Sequence, residues 1–452
     1  MSTFHIETLG CQMNHSDSER IKTVLENLSY KKAKTQKSAD LVIFNTCSVR
    51  QKAEDRIFGL MKNLKKIKNR KPDFLIGLTG CMVRKTSNRN SVEQDKLLKK
   101  ISHLDFVFRI EELPFLPRIL MELNPKITIG NQVNDELQNY FSIYPAYSSK
   151  FQAFVPIMTG CDKFCTYCVV PYSRGRERSR NLDDIINEIN SLAEKGCIEI
   201  TLLGQTVDSY GQSIFDKHSK KFAHIKGSPF AYLLKKINDI KKIKRLRFSS
   251  PHPQDMSDEV IELHKSLPIL CPYIHLPVQS GDNQILKRMN RTYTREHYLE
   301  LIHKLRKARP DIAISTDLIV GFPGETDEQF QNTYNLFHEV EFDHAYISQY
   351  SPRKETFSAK HFADDVPAAV KKQRWDAINK LLKQISFKKH QAFENKKVEV
   401  LAEKCQDGYL EGRSEHFKTV RFEGPKNLIG TFQKVHIDKA LEWLMEGKLN
   451  NS

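Results

Sequence analysis

A chain of 452 residues, 39% of them hydrophobic with Phe 26 and Tyr 15, is too long for one core and can build two or three domains. No apolar stretch approaches the roughly 20 residues of a membrane span, and no charged region leads into a long apolar one at the start, so the reading is a cytoplasmic protein with no membrane partner. The formal charge of +16 is uneven, with 23 Lys/Arg against 13 Asp/Glu in residues 1–120, 36 against 30 in 151–395 and 10 against 9 in 396–452. A polyanion that releases counterions on binding would explain the excess, and a solubilising surface would serve a run such as 62–71 equally well.

The first 80 residues alternate strands with helices. Residues 4–10 are strand-like and run into Cys11. Ile21, Val24, Leu25 and Leu28 then have the spacing of one helix face, opened by a capping-box candidate at Ser16 and Glu19. Residues 41–45 form a second strand before Cys47, followed by a helix with Ala53, Ile57, Leu60, Met61 and Leu64 on one side. Residues 74–78 form a third strand before Cys81. Such alternation implies right-handed crossovers and a parallel sheet, which binds ligands beyond its carboxyl edge. Cysteines ending three consecutive strands can therefore meet at one edge, with Gly10 and Gly80 letting the backbone come close. Three ordinary buried thiols are the alternative.

Residues 124–150 lack clear periodicity. After them, strand-like runs at 153–158, 199–203, 245–249, 273–276, 313–320 and 344–350 alternate with helical patterns. Six repeats are too few for an eight-stranded closure, so a partial (β/α)6 barrel is predicted. The loop after its first strand holds Cys161, Cys165 and Cys168 in the run Met158-Thr-Gly-Cys-Asp-Lys-Phe-Cys-Thr-Tyr-Cys168. Nine cysteines in a reducing compartment point to metal rather than to disulfides. Zinc is one candidate, but structural zinc usually takes four protein ligands and no fourth Cys or His stands nearby. Cys197, Cys271 and Cys405 share no spacing and read as structural or incidental. A long helical region at 366–394 precedes strand-like runs at 397–401, 408–412, 419–423 and 429–437, which read as strands of a small β-barrel and in placement resemble one of oligonucleotide-binding type.

Cys-x3-Cys-x2-Cys with Tyr167 before the last thiol resembles the signature of the radical S-adenosylmethionine (SAM) superfamily. The resemblance implies three thiolates on a 4Fe-4S cluster whose fourth iron chelates SAM, with reductive cleavage of SAM as the radical source. It places SAM by Tyr167, Gly204, Gln205, Gln279, Val320 and Gly321. The tail resembles a TRAM domain, in which RNA contact would rest on Arg413, Lys418 and Arg421.

The whole chain resembles the methylthiotransferase family. The runs Thr8-Leu-Gly-Cys-Gln-Met-Asn14, Asn45-Thr-Cys-Ser-Val-Arg50 and Arg174-Gly-Arg-Glu-Arg-Ser-Arg180 look most like its tRNA branch acting on N6-dimethylallyladenosine. The implied division is 2–120 for the N-terminal domain, 121–146 for a linker, 147–378 for the radical SAM core and 380–446 for TRAM. The implied reaction is 2-methylthiolation at position 37 of tRNA with two SAM, two 4Fe-4S clusters and a sulfur carried on the cluster of Cys11, Cys47 and Cys81. Alternatives are threonylcarbamoyl-adenosine in tRNA or a ribosomal protein aspartate as acceptor, or a non-catalytic RNA-binding or electron-transfer protein. Partners would be the tRNA anticodon arm, met by Arg174, Arg176, Arg178 and Arg180, a reducing electron donor and a sulfur source, with the chain a monomer. Lys354-Glu355 and Thr206-Val-Asp208 depart from the family pattern near the expected SAM side.

Overall fold

In the computed structural model the thiol-terminated strands of residues 1–120 lie side by side in one parallel sheet. The structure describes residues 2–47, 51–84, 101, 103–124 and 139–450; the motif residues Ser48, Val49 and Arg50 and linker residues 125–138 lie outside them. The chain divides into two compact units. One comprises Met1–Ser148, Met158–Phe164 and Cys168–Arg180, the other Ser149–Ile157, Cys165–Tyr167 and Asn181–Ser452.

Unit one contains β1 (Thr3–Leu9), α1 (Gln12–Asn27), β2 (Lys31–Lys32), β3 (Leu41–Thr46), α2 (Gln51–Lys68), β4 (Leu75–Gly80), β5 (Phe106–Val107) and α3 (Leu116–Leu123). The strands run parallel in the order β2-β1-β3-β4-β5. Central β3 is buried throughout, as a strand covered on both faces must be. Its Leu41 and Ile43 pack with Ile21, Val24 and Leu25 of α1, while Val42 and Phe44 pack with Ile57, Met61 and Leu64 of α2. The short edge strands β2 and β5 carried no pattern long enough to predict.

Helix α1 starts at Gln12, earlier than the capping-box candidate at Ser16. Cys11 is the N-cap residue, and its backbone N–H donates to Asn14 Oδ1 at 3.2 Å. Ser16 lies inside the helix and accepts from Arg20 at 2.8 Å. Part of the stretch read as linker also packs in this unit, since Tyr140 and Ile143 join the α1 core.

In unit two, β6 (Gln152–Pro156) opens the six-stranded set. Returning to unit one, β7 (Met158–Thr159) pairs antiparallel with β8 (Arg178–Ser179) and closes the base of a loop carrying α4 (Val170–Ser173). Unit two continues through α5 (Leu182–Glu194), β9 (Glu199–Leu203), α6 (Ile214–Ser219), α7 (Pro229–Asn238), β10 (Arg245–Phe248), α8 (Asp258–Ser266), β11 (Tyr273–His275), α9 (Asn283–Arg288) and α10 (Arg295–Ala308). It goes on to β12 (Ala313–Val320), α11 (Asp327–Val340), β13 (His344–Gln349), α12 (Phe357–His361) and α13 (Ala368–Gln391). Ser228, Ser257, Thr294 and Thr326 cap α7, α8, α10 and α11, each accepting a backbone N–H of its own first turn.

The strands form parallel sets β6-β9-β10 and β11-β12-β13, and a parallel bridge between Leu246 and Leu270 joins them. This is the predicted six-stranded partial barrel. The tail closes into a five-stranded barrel of β14 (Lys397–Gln406), β15 (Tyr409–Ser414), β16 (Thr419–Glu423), β17 (Phe432–Ala440) and β18 (Met445–Leu449). Val400, Leu410, Val420, Phe422, Val435 and Ile437 fill its interior. Strand β18 was not predicted, because Met-Glu-Gly-Lys-Leu hardly alternates.

Lys418 corrects an expectation. It is 5% exposed and its Nζ lies 2.6 Å from Asp343 Oδ1, so it is withdrawn from any RNA-facing surface. Arg421 is exposed, and Arg413 lies over the Phe417 ring at 4.2 Å.

Candidate functional site

The register of the N-terminal sheet sets its three thiols in line. Leu9 pairs with Thr46, and Thr46 with Gly80. Cys47 and Cys81 follow at once, and Cys11 stands two residues beyond Leu9. The ladder extends into these residues, because Cys47 N–H donates to Leu9 O and Cys81 N–H to Thr46 O, both at 2.8 Å. Close approach explains the glycines. A Cβ on Gly10 would lie 3.0 Å from Cys47 Cβ, and one on Gly80, at φ +89°, would lie 2.4 Å from Thr46 O.

Cys47 and Cys81 are buried and Cys11 is exposed. A hydrogen bond from Cys47 holds the Cys81 thiol well below the ordinary thiol range; burial opposes this and the Arg174 charge assists it. Asn14 accepts from the Cys11 thiol at 3.3 Å and donates to Asn45 Oδ1 at 2.9 Å, while Asn45 donates back to Asn14 O at 2.7 Å.

Arg174 is the main correction to the sequence reading. Expected at an RNA surface, it is buried, with Nη2 2.6 Å from Asp17 Oδ2; Tyr140 Oη donates to Asp17 Oδ1 at 2.6 Å. Arg180 is buried too, with its guanidinium 5.3 Å from the Phe141 ring centroid. Arg176 and Arg178 are exposed, and Arg176 Nε donates to Asp162 at 2.6 Å. Positions 174, 176, 178 and 180 would share one face of a regular strand, but Arg174 ends the helix of residues 170–173 and Gly175 takes φ +74°, so the four do not lie on one continuous strand. Asn14 and Asp17 were missed, although both follow Cys11 at helical spacing.

In the tight-triad loop, Cys161 N–H donates to Gly175 O at 3.2 Å, and a Cβ on Gly160 would lie 2.1 Å from Arg176 O. Cys161 and Cys168 belong to unit one and Cys165 to unit two. Beside Cys165, Thr166 donates to Met289 O at 3.0 Å through its N–H and to Arg288 O at 2.9 Å through its hydroxyl. Arg291, also missed, is buried with Nη1 3.5 Å from Cys165 Sγ, Nη2 donating to Pro277 O at 2.9 Å and Nε to Tyr293 Oη at 2.9 Å.

The residues expected near SAM all belong to unit two. Gly204 and Gln205 follow β9, Val320 ends β12 with Gly321 next, and Gln279 lies beyond β11, so parallel strands bring them to one carboxyl edge. Gln279 takes φ +70°, rare outside glycine, while its N–H donates to Asp317 O at 2.9 Å and its carbonyl accepts from Ile319 N–H at 3.0 Å. The Tyr167 ring lies edge-on to Phe322 at 6.4 Å. Gly321 is among the residues expected beside SAM, yet the side a Cβ would occupy is filled by Lys371, whose Cγ would lie 2.3 Å from an added Cβ. Asp208, one of the departures from the family pattern, accepts the His252 backbone N–H at 2.9 Å.

Among the described residues no group of three His, Cys, Asp or Glu gathers as ligands of one metal ion would. An iron–sulfur cluster asks for something else, because each thiolate takes a different iron. Strand-end thiols beside a buried cation fit such an anionic group. Of the Arg174 nitrogens, Nη1 has no hydrogen-bond partner among the described residues, which leaves a donor at this site unused.

The six parallel strands and the cysteine loop after the first of them define a radical SAM enzyme, and residues 155–337 match the Radical SAM superfamily. Residues 3–108 match a second family, described as Uncharacterized protein family UPF0004. The tRNA-2-methylthio-N(6)-dimethylallyladenosine synthase of Thermoanaerobacter sp. (strain X514) is 44% identical, covering 99% of this chain and 92% of its own. That of Geobacillus kaustophilus (strain HTA426) is 42% identical, covering 99% and 82%. The chain belongs to the tRNA-2-methylthio-N6-dimethylallyladenosine synthase family, and its cofactors are SAM and 4Fe-4S clusters. Among solved structures, the radical SAM methyltransferase TsrM from Kitasatospora setae shares the fold, with TM-score 0.53 at 13% identity over 77% of this chain and 73% of TsrM.

Proposed function

We propose that this radical SAM methylthiotransferase converts N6-dimethylallyladenosine at position 37 of tRNA into its 2-methylthio derivative, using two SAM and a cluster-bound sulfur. The observation that carries the reading is the alignment of Cys11, Cys47 and Cys81 across three adjacent strands, in a chain that also carries the Cys161, Cys165 and Cys168 loop. In this reading the loop cysteines hold the SAM-chelating cluster and the strand-end cysteines hold the sulfur-carrying one. When bound, the SAM-chelating cluster supplies the electron that cleaves SAM and so the radical an unactivated adenine carbon requires.

The chain's own residues do the positioning. Arg291 braces Cys165 against the segment leading to Gln279, and the Asn14–Asn45 pair braces Cys11. Burial of Cys47 and Cys81 keeps water from their sulfurs. Tyr167, Gly204, Gln205, Gln279, Val320 and Gly321 form the SAM edge. Arg176 and Arg178 remain the candidates for the anticodon arm. A four-part division with boundaries near 120, 146 and 378, a monomeric state, a cytoplasmic location, a reducing electron donor and a sulfur source complete the proposal.

The test uses anaerobically reconstituted protein and tRNA carrying or lacking the dimethylallyl group. Cys161→Ala should abolish SAM cleavage and methylthiolation together. Cys47→Ala should lower iron content and abolish methylthiolation while some 5′-deoxyadenosine still forms. A Cys47→Ala protein that methylthiolates at the parent rate would refute the two-cluster reading, and equal activity on tRNA lacking the dimethylallyl group would refute the substrate.

A further inference from the structure

Arg174 joins two parts of the sequence that no spacing argument connects. It stands six positions after Cys168, in the same loop as Cys161, and its guanidinium is buried in unit one beside Asp17. A buried arginine with a purely structural role satisfies its N–H donors locally. Here the ion pair engages Nη2, while Nη1 is buried without a hydrogen-bond partner among the described residues. Tyr140 donates to the other oxygen of Asp17, which fixes the carboxylate and through it the guanidinium. Besides Asp17, the groups that act on Arg174 are the sulfurs of Cys81 and Cys11, and its side chain also hydrogen-bonds to Cys81.

We infer that Arg174 is a positioning residue of the N-terminal cysteine site, holding a fixed positive charge and a free N–H donor against the anionic sulfur gathered by Cys11, Cys47 and Cys81. The inference rests on the proposal that these thiols carry a cluster. A cation in a buried, weakly screened setting stabilises added negative charge nearby, so Arg174 favours the reduced state of whatever those thiols hold. Because the residue rides on the Cys161 and Cys168 loop, a shift of that loop would move the charge away from the N-terminal thiols.

The experiment uses the full chain with Cys161→Ala, Cys165→Ala and Cys168→Ala, so that iron can enter only the N-terminal site. Iron is counted after anaerobic reconstitution, and the midpoint potential is read by redox titration followed by electron paramagnetic resonance. Arg174→Gln should shift the potential downward, and Arg174→Lys, which keeps the charge, should recover part of the shift. Should Arg174→Gln fold poorly because Asp17 is left uncompensated, the Asp17→Asn/Arg174→Gln double variant is read in its place. Loss of iron from the Gln forms that the Lys variant does not share supports the same role. Full iron with an unmoved potential overturns the inference alone. A parent triple variant that takes up no iron overturns it together with the N-terminal cluster reading.

Discussion

Three buried cysteines show how local chemistry sorts residues of one type. Burial pushes the Cys197 thiol up to about 12 and the Cys271 thiol up to about 11, so both stay protonated at neutral pH. Cys81 is equally buried and moves the other way, because Cys47 hydrogen-bonds to it and Arg174 stands near. Gly80, just before it, holds a left-handed backbone with Thr46 O in the space a Cβ would need. Gly80→Ala is predicted to lose about 1–2 kcal/mol from the conformation alone, more from the clash, and to displace Cys81. A thermal melt and an iron count on the reconstituted variant check this; a stable variant with full iron would show that the strand end yields more easily than its contacts imply.

Among elements, β10 does two jobs. As a central strand it pairs with β9, and its outward arginines hold the terminal barrel. Arg245 donates to Arg413 O at 2.8 Å and Glu399 O at 2.9 Å, and Arg247 to Ser414 O at 2.8 Å and Glu415 O at 2.9 Å. The Lys418–Asp343 pair fastens the start of β16 to the turn before β13. Burial works against both charges, and each holds the other ionised. Asp343→Asn strands a buried ammonium and is predicted to cost about 3–5 kcal/mol. Urea unfolding followed by fluorescence of Trp443, whose ring meets His344 at 6.0 Å, reads the loss. An unchanged midpoint would mean that the other contacts, the arginines among them, hold the barrel without this pair.

For the molecule as a whole, acid is the predicted weakness. Burial pulls His264, His344 and His390 down to about 4, so each folds neutral. Between their unfolded value near 6.5 and that folded value, the unfolded chain binds more protons. Their contribution is therefore complete above about pH 6.5 and is lost as pH falls toward 4. For fully buried His264 the gap is worth about 3 kcal/mol. The melting midpoint should fall steadily from pH 7 to pH 5, and His264→Phe, which keeps a ring beside Phe248, should flatten that fall. A variant with the parent's slope would show that His264 charges without penalty.

Much of this protein could be read from one dimension because its signals are local. Strand-length apolar runs and helical spacing need only near neighbours, and they identified the N-terminal parallel sheet, the six-stranded partial barrel and most of the terminal barrel. The start of α1 at Cys11 was misread because the cap uses Asn14 rather than the Ser16 and Glu19 pattern. Strand β18 was missed because its place is set by partners β16 and β17 rather than by its own alternation. Charge was read least well. Arg174 and Lys418 look like solvent-facing cations in sequence, yet each is buried against a carboxylate far along the chain, Asp17 and Asp343. Whether a cation faces RNA or a buried anion depends on long-range partners, and only tertiary packing brings those together.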